Sequence, residues 1–138
     1  MKRILVVANR TLLEQHLLDE IRRRRAESVV FVHVLVPASH PGGFWTEEQA
    51  ELEARARLAD LLDTLAIAGI GATGEIGDAS PVGAVCDVLR TRSFDEIIIS
   101  TRPVGISKWL SQNVVRRLQA ATGLPVTHVV AESVPAHA

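Results

Sequence analysis

The chain has 138 residues, 47% of them apolar, a formal net charge of −1 and a single cysteine, Cys86. That is one domain with a sizeable core, with no bulk field to favour nucleic acid or an anionic membrane. One cysteine excludes an internal disulfide and suits a reducing compartment, and no apolar run approaches the roughly 20 residues of a membrane span.

The opening Met-Lys-Arg-Ile-Leu-Val-Val has too short an apolar part for a signal peptide and reads as a strand over Ile4–Ala8. The expectation is a soluble cytoplasmic protein. Thr11 and Glu14 have capping-box spacing, and Leu13, Leu17 and Ile21 keep one helical face. That helix ends in four consecutive arginines, Arg22 to Arg25, which suit the negative end of the macrodipole and a solvated side. A β-branched run over Val29–Val36 is the second strand. Thr46 with Gln49 opens a long helix whose face carries Leu58, Leu61, Leu62 and Leu65 and which stops at Gly69. A weaker, glycine-rich strand follows near Ile70–Ile76.

Ser80 before Pro81 places a capping oxygen ahead of a residue suited to the first helical position. Val82, Val85 and Leu89 form the stripe of that helix. Ile97–Ser100 is a fourth strand, and Leu110, Val114, Leu118 and Ala121 mark a last helix stopped by Gly123 and Pro125. Val126–Val130 closes the series. Strands apolar on both faces suit a parallel sheet, and right-handed crossovers then give a doubly wound α/β fold with helices on both faces. Residues 1–131 form the domain and 132–138 are expected to be a flexible tail.

Ligands in such sheets bind beyond the carboxyl ends of the strands, where the strand order reverses. The segments there are Asn9-Arg10-Thr11, Val36 to Trp45, Gly77 to Pro81 and Ser100 to Lys108. The stretch "STRPVGISKWLSQNVV" (100–115) stands where a phosphate loop would be, yet carries one glycine, Gly105, and a proline without an N–H. "GIGATG" at Gly69 to Gly74 matches G-x-G-x-x-G but ends a helix and enters a strand, the reverse of the dinucleotide fingerprint. His33 and His128 read as satisfied sheet positions, and His40 lacks the H-x-G-H context of nucleotidyl transferases. Cys86 reads as a small core residue, and Trp45 and Trp109 as covers of the sheet or of a partner. No metal-ligand spacing, nucleophile elbow or Walker loop occurs, so no catalytic residue and no metal ligand is assigned.

The loop residues together resemble the universal stress protein family over nearly the whole length. "RILVVANRT" is similar to its first strand and loop, "FVHVLVP" to its second strand, and "GEIGDASPVGAVCDVL" to its Gly-Asp-Pro segment and third helix. "FDEIIISTR" and "LPVTHVV" are similar to its fourth and fifth strands. The resemblance implies a five-stranded parallel sheet in the order 3-2-1-4-5, with the glycine-rich strand at one edge. It also implies a homodimer through the last strand, Val126–Val130.

The family's nucleotide binders carry Gly, two residues, Gly, nine residues, then Gly and Ser or Thr. Laid on this chain, that frame falls on Ser100, Pro103, Asn113 and Val114, so every identity is changed, and Asn9 stands where the family has a pocket Asp. The implied function is a non-enzymatic, dimeric regulatory or stress-response module with no tight ATP binding and no cofactor. The alternative is a nucleotide- or small-anion-binding version with altered specificity. Its candidate contacts are Asn9, Thr101, Arg102, Gly105, Ser107, Lys108 and Asn113. An enzyme of the wider nucleotide-binding α/β group is a third reading.

Overall fold

A computed structural model of the chain describes residues 1–8, 15–38, 46–101 and 113–130. Asn9, Arg102, Gly105, Ser107 and Lys108 lie outside the described residues, as do Pro103, His40, Trp45, Trp109, the pair Thr11 and Glu14, and positions 132–138.

The described elements are β1 (Lys2–Ala8), α1 (Gln15–Arg25), β2 (Val30–Pro37), α2 (Glu47–Ile67), β3 (Ala72–Gly77), α3 (Pro81–Leu89), β4 (Glu96–Thr101), α4 (Val114–Thr122) and β5 (Val126–Val130). All neighbouring strands are parallel, and their order is β3-β2-β1-β4-β5. The alternating texture of the sequence thus becomes a doubly wound sheet with the glycine-rich strand at one edge.

Local chemistry explains the element ends. Thr46 accepts from the Gln49 N–H at 3.1 Å while the Gln49 side chain accepts from the Thr46 N–H at 2.9 Å, a complete capping box. Ser80 caps α3 through the Gly83 N–H at 3.3 Å. Gly69 (φ +80) and Gly123 (φ +68) take the left-handed conformation that ends a helix. At the first of these, Gly69 N–H donates to Ala66 and Ile70 N–H to Leu65, and Ile70 turns into the core. This Schellman arrangement accounts for "GIG" and delays β3 to Ala72, two residues later than the β-branched pattern suggests.

The core has two layers. On one face of the sheet Ile4, Val6, Val32, Val34 and Ile98 meet Leu17 and Ile21 of α1 and Leu61 and Leu65 of α2. On the other, Leu5, Val7, Leu35, Ile97 and Ile99 meet α3 and α4. Two predicted stripes need correction. α3 buries Pro81, Ala84, Val85 and Val88, while Val82 and Leu89 sit only partly buried at its flanks. The small Ala84 is what seats the helix: a Cβ on Gly77 would lie 2.7 Å from the Ala84 Cβ and 2.9 Å from Leu35 Cδ1, so glycine permits the close approach. In α4, Val114 and Leu118 are buried but Ala121 is exposed. Cys86, next to the buried Val85, is only half-buried and not a core residue.

The arginine run also departs from a solvated cap. Arg24 turns under the sheet, its Nε 2.5 Å and Nη2 3.0 Å from Glu96 Oε1 and Thr127 Oγ1, and its Nη1 2.6 Å from Glu20 Oε2. Lys2 Nζ adds a contact of 2.7 Å to Glu96, which is buried. Arg25 donates to the Gly69 carbonyl at 3.0 Å, joining α1 to the end of α2.

Candidate functional site

Connections leave β1 toward β2 on one side and β4 continues to β5 on the other, so the switch in strand order lies between β1 and β4. There Ala8 pairs with Ser100. Ala8, Ser100 and Thr101 are all buried. Side chains alternate across a strand. Ser100 therefore shares the α1/α2 face with Ile98, and Thr101 shares the α3/α4 face with Ile97 and Ile99.

Thr101, proposed from sequence as a donor to a ligand, has its hydroxyl in a 2.7 Å hydrogen bond with His128 Nε2 and is fully buried. Burial pushes the His128 imidazole below its ordinary pKa, because the charged form would lose its hydration. The pair is therefore a neutral cross-strand contact holding β5 to β4. His128 is satisfied within the sheet, and its partner lies 27 residues away in sequence.

Asn113 stands at the amino end of α4 with φ 55 and ψ 39, and among the described residues it is the non-glycine residue with positive φ. Asparagine is one of the few side chains that tolerates this left-handed region. Its side chain makes no capping bond to the helix, although its carbonyl accepts from Arg117 N–H at 3.0 Å. The first-turn N–H groups of α4 thus have no side-chain cap from Asn113. The next residue, Val114, is buried in the core with Leu118 and Val85. Its side chain packs where the resemblance would put a hydroxyl.

Asn113 and Thr101 are thus placed at the same carboxyl end of the sheet, one exposed and one buried. A hollow of about 680 Å³ lies at the end of β3, lined by Ala38, Glu47, Glu51, Arg55 and Asp78 among others. Asp78 there accepts from the Ala79 N–H at 2.8 Å, a local turn bond. Among the described residues no group of three His, Cys, Asp or Glu side chains could hold a metal ion. No described helix is long and apolar enough to cross a membrane.

The fold is a doubly wound α/β domain whose strand order switches between β1 and β4. No family model matches the sequence, and no curated protein matches it. Among solved structures, the chain is similar to a crystal structure of a protein from the universal stress protein family of Burkholderia pseudomallei. The TM-score is 0.58 at 16% identity, over 91% of this chain and 94% of that one. The likeness covers both chains almost end to end and is one of fold.

Proposed function

We propose that this chain is a universal-stress-type regulatory module that works as a homodimer, without enzymatic turnover and without tight ATP binding. The observation that carries this reading is the burial of Val114 in the core at the amino end of α4. A triphosphate needs several convergent donors. Here one position of the frame has become packing, the Thr101 hydroxyl is held by His128, and Asn113 adds a side chain where close approach is needed. Each lost hydrogen bond to a charged group costs about 1.5–3 kcal/mol, and each 1.4 kcal/mol is tenfold in affinity. Two or three such losses take micromolar binding to roughly millimolar. Isothermal calorimetry with ATP tests this: no saturable heat at micromolar ligand is expected, and low-micromolar binding would replace this reading with the next.

The second reading, a small anion held beside Arg102, Ser107 or Lys108, is favoured by the absence of a side-chain cap from Asn113 on α4. A helix amino terminus with free N–H groups suits an anion. A thermal-shift screen with phosphate and sulfate separates the two readings.

The dimer reading rests on β5. It is an edge strand whose residues are mostly half-buried, with Val130 37% exposed, and such an edge is a hazard unless covered or paired. Light scattering at tens of micromolar should report a dimer, a fair range for an interface of ordinary size, and Val130→Lys should shift it toward monomer. A wild-type monomer there rejects the dimer.

A further inference from the structure

At the opposite edge of the sheet, β2 and β3 bring together a hydroxyl, an imidazole and a carboxylate. His33 lies directly across from Thr73 in the parallel register. Its ring is buried and stacked on Phe94, with centroids 6.0 Å apart and planes at 24°. His33 Nδ1 is 2.6 Å from Thr73 Oγ1, and His33 Nε2 is 3.0 Å from Glu75 Oε2.

The proton positions follow from donor chemistry. Burial, with the positive charge of Arg92 adding to it, keeps the His33 imidazole below its ordinary pKa against the opposing pull of Glu75. A neutral imidazole has one N–H and one acceptor nitrogen, and a carboxylate can only accept. Nε2–H therefore donates to Glu75, and Nδ1 accepts from the Thr73 hydroxyl. This is the polarity of a nucleophile, a general base and an orienting acid, which is recognised by geometry and roles and not by sequence position. Thr73 is an exposed residue and the Glu75 side chain is 42% exposed, while the base between them is buried.

We propose that Thr73 is a base-activated nucleophile that accepts an acyl group from activated carboxylic esters, with His33 as the base and Glu75 as the positioning residue. Thr73 Oγ bonds to the carbonyl carbon as its proton passes to His33 Nδ1. The bond from that carbon to the leaving oxygen then breaks, and the leaving group departs with the electron pair and takes the proton from His33. The products are an acyl ester on Thr73 and a free alcohol or phenol. Glu75 stabilises the imidazolium that forms between these steps. The site is independent of the β1/β4 crevice and of the dimer reading, because all three residues belong to β2 and β3.

The test is incubation of the full chain with p-nitrophenyl acetate, followed by peptide mass mapping of the acetylated residue. One acetyl group is expected on Thr73, with a rate that rises with pH to a plateau as His33 loses its proton; Glu75 and Arg92 are the charged groups that set that midpoint. Thr73→Val should abolish the label and Thr73→Ser should keep it. His33→Gln should slow labelling by about 100-fold, the usual size of a positioned general base. Should that buried substitution fail to fold, Glu75→Gln serves on a more exposed position and should slow labelling and move the plateau. Two results overturn the proposal. One is no acetyl at Thr73 on the folded protein. The other is labelling of Thr73 at equal rates in wild type and Glu75→Gln, rising with hydroxide without a plateau, which leaves the trio as a cross-strand clasp.

Discussion

The two ends of β4 are built from opposite chemistry. At its amino end Glu96 is buried and meets Lys2 at 2.7 Å and Arg24 at 2.5 Å, and Arg24 continues to Glu20 and Thr127. At its carboxyl end Ser100 and Thr101 are equally buried but uncharged, and the Thr101 hydroxyl meets a neutral imidazole. At the charged end Lys2, Glu20, Arg24 and Glu96 pair with one another. At the other end His128 takes the Thr101 hydroxyl, and the amino terminus of α4 is the kind of group that can face a ligand. The comparison teaches that a charge run in the sequence marks a structural clasp here, whereas the carboxyl end of the same strand is uncharged among the described residues.

The largest test of that contrast is Arg24→Ala. It leaves Glu96 buried with only Lys2 for a partner, and breaking a buried pair from one side costs about 3–5 kcal/mol. Urea unfolding should show this loss, and a cost below about 1 kcal/mol would mean the amino end is no more tightly held than an ordinary surface pair. At the other end, Val114→Ser removes buried methyl groups and buries a hydroxyl, for a loss of about 2 kcal/mol in the same assay. Such a loss means that a hydroxyl at this position weakens the core.

Thr101→Val should cost about 1 kcal/mol by deleting the bond to His128. Acidification probes the same contact. His33 and His128 both have pKa values lowered by burial, so the unfolded chain binds protons that the folded chain refuses. Stability should therefore hold at neutral pH and fall as the pH drops through about 6.5, the ordinary imidazole value. Thermal unfolding across that range checks the sign, and greater stability at the acid side would show charged histidines in the fold. The smallest effect is expected from Asn113→Gly, a gain of less than about 1 kcal/mol, because glycine adopts positive φ without the Cβ clash. Asn113→Ala should instead lose about 1 kcal/mol. Chemical unfolding of the pair reads both.

Much of this architecture is legible in one dimension because its causes are local. The strand and helix alternation, the Thr46 and Ser80 caps and the stops at Gly69 and Gly123 each depend on residues a few positions apart. Right-handed crossovers, together with the family resemblance, imply the strand order that the sheet has. Strand ends shifted by a residue or two, as where the Schellman turn at Gly69 takes Ile70 for the core before β3 begins.

What the tertiary structure alone decided are the partners. Arg24 looks like any arginine at a helix end until α1 is laid across Glu96, 72 residues later. The turn of α3 about its axis depended on Gly77 accepting Ala84, a fit between two elements that neither pattern records. Thr101 met His128, and Thr73 and Glu75 met His33, because the parallel register sets Thr73 opposite His33 and puts Thr101 and Glu75 one diagonal step along the same faces. Periodicity states which face a residue takes, and only the pairing of strands states who is waiting there.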